Sequence, residues 1–376
     1  MTRDIYVSTI IDSHNYGTVM QAVATKEALT PYGRPLFIDY TRPDWTAQGL
    51  RDRYLKDESH NALTNVARFL LAQPYLRRNR GIFRAFITRN LDLVDAKPFL
   101  EGGNFDRSAV YCVGSDQTWN AVLNKGIDPV YTLKNVPADC TKISFSASFG
   151  RPSVPDDEAA AMKPLLEHFD AISVRESSSV AILDGMGIRG AVALKDPVLL
   201  CDPALWKTLS AAETTSGGGY VLVYMLNDNP RMVEYAKLLA ARNGIEARIV
   251  TFNMLKSAPQ GCRGICQPSP EQWLASFRDA SAVVTDSFHG TCFSILFEKP
   301  MVVFNPPRFS VRLADVLNDF GLANRRVADG TRPEDITVDR QPVDWESVRG
   351  RLAGFRDEAR AFLENCMGSA TAAVNR

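Results

Sequence analysis

The nine residues Val283-Val284-Thr285-Asp286-Ser287-Phe288-His289-Gly290-Thr291 join an apolar run, three helix-capping residue types and a titratable ring. Ala282 to Val284 reads as a buried strand. Thr285, Asp286 and Ser287 can cap a helix. Cys292 to Phe297 continues as an apolar helix, which Lys299-Pro300 ends. His289 and Gly290 thus fall at the carboxyl end of a strand and in the first turn of a helix. Backbone N–H groups there lack intrahelical partners, and the helix dipole is positive. Such a place binds anions, and a histidine in it can give or take a proton near neutral pH. The remaining histidines are His14, His60 and His168.

Four further stretches place polar residues after apolar runs. Asp12-Ser13-His14-Asn15-Tyr16-Gly17-Thr18 follows the first strand and precedes a helix, the place where doubly wound folds bind ligands. Gly17 allows close backbone approach, and Asn15 and Thr18 offer hydrogen bonds. With a single glycine this is no dinucleotide fingerprint, and a capped helix start is the plainer reading. Gly114-Ser115-Asp116-Gln117-Thr118-Trp119-Asn120 follows a strand that ends at Val113. Asp116, Gln117 and Asn120 can bind hydroxyls, and Trp119 can stack on a sugar face; the alternative is a tight polar turn. Arg175, at a strand-to-helix junction, presents a planar fork suited to phosphate or carboxylate, unless an acidic neighbour claims it. Arg308 and Arg312 follow the strand Met301 to Phe304. Singly each reads as a surface charge, and with His289 they form part of an anion pocket.

Positioning these groups requires a parallel sheet. Strands are predicted at Ile5 to Ile11, Pro35 to Tyr40, Ala109 to Val113, Ile143 to Ser146 and Ala171 to Val174, with a helix from Val19 to Leu29 closed by Gly33. A second alternating series runs from Tyr220 to Val284. The expected fold is α/β, two Rossmann-like domains with a central cleft. The first domain spans 1–205, with an Arg-rich helical insertion at about 41–99, and the second spans 218–340. A packing helix and tail occupy 341–376, and a hinge lies near residue 210. Trp345, Val348, Leu352, Phe355, Ala359, Phe362 and Cys366 share one face of that last helix.

Composition excludes several classes. Forty-three basic residues balance 43 acidic ones, which argues against a general nucleic-acid or membrane-surface binder. The apolar runs are too short to span a membrane, and no signal peptide is expected. Seven scattered cysteines suit a reducing cytosol. Cys262 and Cys266 are read as ordinary thiols, because no second pair or nearby histidine completes a zinc site.

Six motifs in order resemble the polysaccharide pyruvyl transferase family: DSHNYGTVMQA (Asp12 to Ala22), GSDQTWN (Gly114 to Asn120), SFSASFG (Ser144 to Gly150), SVRESSS (Ser173 to Ser179), KDPVLL (Lys195 to Leu200) and TDSFHGTCFSILFEKP (Thr285 to Pro300). The resemblance implies a glycosyltransferase-B-like architecture. It also implies transfer of the enolpyruvyl unit of phosphoenolpyruvate onto two sugar hydroxyls, making a cyclic ketal during polysaccharide, cell-wall or capsule synthesis. Some members carry arginine two residues before the histidine, where this chain has Ser287.

On that reading His289 is the general acid and Asp116, or Asp12, accepts the hydroxyl proton. Arg175, Ser287, Gly290, Thr291, Arg308 and Arg312 hold the donor. Asp12, Asn15, Gly17, Ser115, Gln117, Trp119 and Asn120 hold the acceptor. No step demands a metal or an organic cofactor; phosphoenolpyruvate is a co-substrate. The partners are phosphoenolpyruvate and a sugar or glycan carrier, not nucleic acid. The expected location is cytoplasmic, with peripheral contact to a membrane-borne acceptor left open. The alternatives are a nucleotide-sugar glycosyltransferase of similar architecture and a non-catalytic sugar-binding protein.

Overall fold

The structure, a computed structural model, describes residues 3–213, 219–252, 258–307 and 310–374. Contacts divide the chain into two compact units, Met1–Leu200 with Asp357–Arg376, and Cys201–Arg356. The closing helix, Trp345–Val374, contributes its first turns to the second unit and the rest to the first.

The first unit is built on β1 (Asp4–Ser8), β2 (Arg34–Asp39), β3 (Leu93–Asp95), β4 (Val110–Val113), β5 (Thr141–Ala147), β6 (Ala171–Val174) and β7 (Val192–Ala193). All pair in parallel, in the order β3-β2-β1-β4-β5-β6-β7. The central strands are buried along their length, as in parallel sheets covered on both faces. Chain order reverses between β1 and β4, which puts a topological switch point where the Asp12 and Gly114 motifs leave the sheet.

The second unit carries β8 (Tyr220–Tyr224), β9 (Glu246–Thr251), β10 (Cys262–Cys266), β11 (Ala282–Thr285) and β12 (Met301–Val303). These are again parallel, in the order β10-β9-β8-β11-β12. Here the reversal lies between β8 and β11, so the His289 motif leaves the sheet at its switch point. Aromatic rings fix the helix that follows. Phe293 lies edge-on to both Trp206 and Trp273, each at 5.0 Å, and Trp273 meets Tyr224 at 5.2 Å.

Three departures from the predicted elements are local. The inserted segment is helical at Ala47–Leu55 and Ala62–Asn90, but β3 follows within it. The helix expected from Cys292 begins at Phe288, because Ser287 caps it. On the last helix the buried stripe passes through Val348, Leu352 and Ala359 and then moves to Leu363 and Met367, leaving Phe362 and Cys366 half-buried.

Candidate active site

At the second unit's switch point the chain after β11 is tied to the chain after β8. The Thr285 hydroxyl donates to the Tyr224 carbonyl at 2.7 Å and accepts the Ser287 N–H at 3.1 Å. The buried Asp286 carboxylate accepts from the Leu226 N–H at 2.7 Å, the Asn227 N–H at 3.0 Å and the Asn227 side chain at 2.8 Å. The Ser287 hydroxyl accepts the Gly290 N–H at 3.2 Å, the usual N-cap bond. A Cβ on Gly290 would stand 2.4 Å from Thr285 Oγ1 and 2.9 Å from Tyr224 Cδ1, so the helix can approach β8 this closely only through a glycine.

These contacts divide the expected donor residues. The side chains of Ser287 and Thr291 are turned into the helix start, with the Thr291 hydroxyl donating to the Ser287 carbonyl at 3.1 Å. Gly290 is a packing position. His289, the second helical residue, is half-buried, with its Nε2 turned away from solvent. The Arg312 guanidinium stands 5.8 Å from the centre of the neighbouring Phe288 ring, which brings a cation to this helix start. Arg308 lies outside the described residues.

At the first unit's switch point the polar residues largely bind one another. Asp12 is paired with Arg42, both side chains buried, at 3.0 Å, and also accepts the Arg42 backbone N–H at 2.7 Å. Burial works against the Arg42 charge, and the hydrogen bonds and charge of Asp12 more than offset it, leaving the pKa raised. Asn15 caps the Tyr16–Leu29 helix by accepting the Gly17 N–H at 2.9 Å. The carbonyl of Ser115 accepts from the Thr9 hydroxyl at 2.7 Å. Asp116 sits at φ +76°, a left-handed conformation unusual for a side chain bearing a Cβ. Its carboxylate accepts from Thr18 Oγ1 at 2.9 Å and the Gln117 N–H at 2.9 Å, which holds that turn. Asn120 caps the short helix after it and donates to Gln117 Oε1 at 2.7 Å.

Two expectations are corrected here. Trp119 is 1 % exposed, with Phe149 and Phe169 against it and its indole N–H donating to the Tyr131 carbonyl at 3.0 Å. No face is left for a sugar. Arg175 is a buried structural cation: Nη1 donates to Asp196 at 2.7 Å, and Asp116 and Glu176 stand at 3.7 and 3.9 Å. Its acids are Asp116 after β4, the adjacent Glu176 and Asp196 after β7. Arg175→Lys keeps the charge but loses the fork, so unfolding stability should fall by about 1–3 kcal/mol in a denaturant titration. Unchanged stability would return Arg175 to the donor-binding set.

Sequence reasoning missed the partner roles of Arg42 and Asp196, and an open cavity beside Asp12. The cavity, about 500 Å³, is lined by Asp12, Ser13, His14, Trp45, Arg80 and Phe83, among others. The His14 ring stacks on Phe83 at 5.8 Å and meets the Trp45 ring edge-on at 5.5 Å. The Ser13 hydroxyl is buried there without a hydrogen-bond partner among the described residues. Burial first, then the charges of Arg80 and Arg53, lowers the His14 pKa to about 4.

That shift sets a pH dependence. The folded state resists protonating His14, so its stability is complete above the unfolded pKa of about 6.5 and is lost as pH falls toward about 4. Between pH 7 and 5 the loss from this ring is at most about 2 kcal/mol. His14→Phe should remove that part of the acid sensitivity in unfolding curves at the two pH values. An identical pH profile in the variant would show that His14 is not its source. Among the described residues, no group of three His, Cys, Asp or Glu side chains is placed to hold a metal ion.

Two parallel sheets, each with a reversal point that carries a polar motif, define a glycosyltransferase-B-like α/β protein of two Rossmann-like domains. Among solved structures, Os79 from O. sativa, in complex with U2F and trichothecene, aligns with TM-score 0.53 and 13 % identity over 98 % of this chain and 100 % of its own. UDP-N-acetylglucosamine 2-epimerase from Rickettsia bellii aligns with TM-score 0.49 and 10 % identity, covering 99 % and 96 %. An O-GlcNAc transferase mutant from Thermobaculum terrenum aligns with TM-score 0.40 and 13 % identity over all of this chain and 66 % of its own. The Os79 likeness shows the fold alone. No curated protein matches the chain. The polysaccharide pyruvyl transferase family model matches residues 15–307, and the chain belongs to that family of enzymes, which transfer pyruvyl groups onto polysaccharides.

Proposed function

We propose that this enzyme takes its pyruvyl unit from phosphoenolpyruvate and joins it to two hydroxyls of a sugar as a cyclic ketal. The observation that carries the reading is His289, half-buried in the first turn of a helix at a sheet's switch point, with Arg312 beside the preceding residue. A helix start and an arginine suit a multiply charged anion. A histidine suits proton delivery to carbon. In the proposed reaction protonated His289 gives its proton to C3 of phosphoenolpyruvate, which leaves cationic character at C2. A sugar hydroxyl adds to C2, and the C2–O bond to phosphate breaks. The neighbouring hydroxyl then closes the ring. The sum is phosphoenolpyruvate plus diol giving ketal plus inorganic phosphate, with both hydroxyl protons accounted for by the new methyl C–H and the released phosphate.

The acceptor is assigned to the first unit, at the cavity beside Asp12, Ser13 and His14. Trp45 offers a ring, and Ser13 and Arg80 offer hydrogen bonds to it. Incubation with phosphoenolpyruvate and a panel of sugar carriers tests the reading. Inorganic phosphate release matched by a pyruvyl mass gain on one carrier is the expected result. Nucleotide release from a nucleotide sugar, without phosphate release from phosphoenolpyruvate, would replace it with glycosyl transfer.

A further inference from the structure

The helix Ala62–Asn90 carries six arginines, Arg68, Arg77, Arg78, Arg80, Arg84 and Arg89, and no acidic residue, in a chain whose charges balance as a whole. One face packs into the first unit through Asn65, Asn79, Phe83, Phe86 and Ile87. The opposite face is apolar where water should meet it. Leu63 is 81 % exposed, Val66 44 %, and Leu70 and Leu71 62 % each. At 3.6 residues per turn these four fall with Arg77 and Arg78 within roughly 140° of the helix circumference. Pro74 separates the apolar turns from the basic ones. Arg68 and Arg84 are paired with Asp57 and Asp39, whereas Arg77, Arg78 and Arg80 have no ion-pair partner among the described residues.

We infer that this face docks the enzyme on an anionic lipid surface, the leucines entering the headgroup boundary and Arg77 and Arg78 meeting lipid phosphates. A helix with an apolar face and unpaired cations beside it has the two features that interfacial binding needs. A polyanion such as RNA would use the arginines and leave the leucines in water. A second copy of the chain would bring another set of unpaired arginines to the contact. Among the described residues no helix is long and apolar enough to cross a membrane, so binding by this face would be peripheral and reversible.

The test is co-sedimentation of the full chain with vesicles of phosphatidylcholine alone and of phosphatidylcholine with phosphatidylglycerol. Binding is expected only to the anionic vesicles, and it should weaken as salt is raised. Leu70→Gln with Leu71→Gln should lower the partition coefficient at least tenfold with an unchanged melting midpoint, since neither side chain is buried. Arg77→Gln with Arg78→Gln should lower it by about tenfold or more. Absence of binding to anionic vesicles would overturn the inference. So would undiminished binding by the leucine variant, or a dimer in sedimentation equilibrium that the leucine variant abolishes.

Discussion

Replacing His289 by glutamine is expected to leave the fold intact and to lower turnover by roughly 100-fold or more. The residue is half-buried at the second position of its helix, and glutamine fills a similar length of the same space. Glutamine keeps a hydrogen-bonding group of similar reach but cannot carry a proton to carbon. The helix start is held by Ser287, Thr285 and Asp286, none of which the substitution touches. The check is phosphate release from phosphoenolpyruvate under saturating acceptor, with melting curves run alongside. Near-normal turnover in a folded variant would remove His289 from the mechanism and leave Arg312 and the helix start as an anion site only.

Asp12→Ala should act on stability, not on substrate. It strips the partner from a buried guanidinium and from the Arg42 backbone N–H, and breaking one side of such a pair costs about 3–5 kcal/mol. The double variant Asp12→Ala with Arg42→Leu should recover much of that loss, because no unpaired charge then remains inside. Denaturant unfolding of the three proteins measures both effects. A fully stable Asp12→Ala protein that had lost only acceptor affinity would restore Asp12 to the binding role expected of it from its position after β1.

The contrast between His289 and Asp12 shows where local reading works. Both follow buried strands and both precede helices, and the sequence placed both correctly at sheet ends. Strands such as β4, β6 and β11 are legible because an apolar run bounded by polar residues has few other fates. The helix starts are legible through Asn15 and Ser287, whose capping bonds span two or three residues. The strands β3, β7 and β10 were not expected. The first two are three and two residues long, and Cys262–Cys266 lacks an apolar pattern of its own. Edge strands of this kind exist by pairing with a neighbour.

By itself the sequence determined the alternation of strands and helices, the polar motifs at strand ends and, through six ordered motifs, the family. Tertiary structure decided which of those polar residues answer one another. Arg42 lies 30 residues from Asp12, Asp196 lies 21 from Arg175, and Thr18 lies 98 from Asp116. Trp119 is buried by rings 30 and 50 residues on. A capping bond or an apolar period is a property of neighbouring residues. The pairing of a buried charge depends on strands brought side by side by the sheet, and no local pattern records that choice.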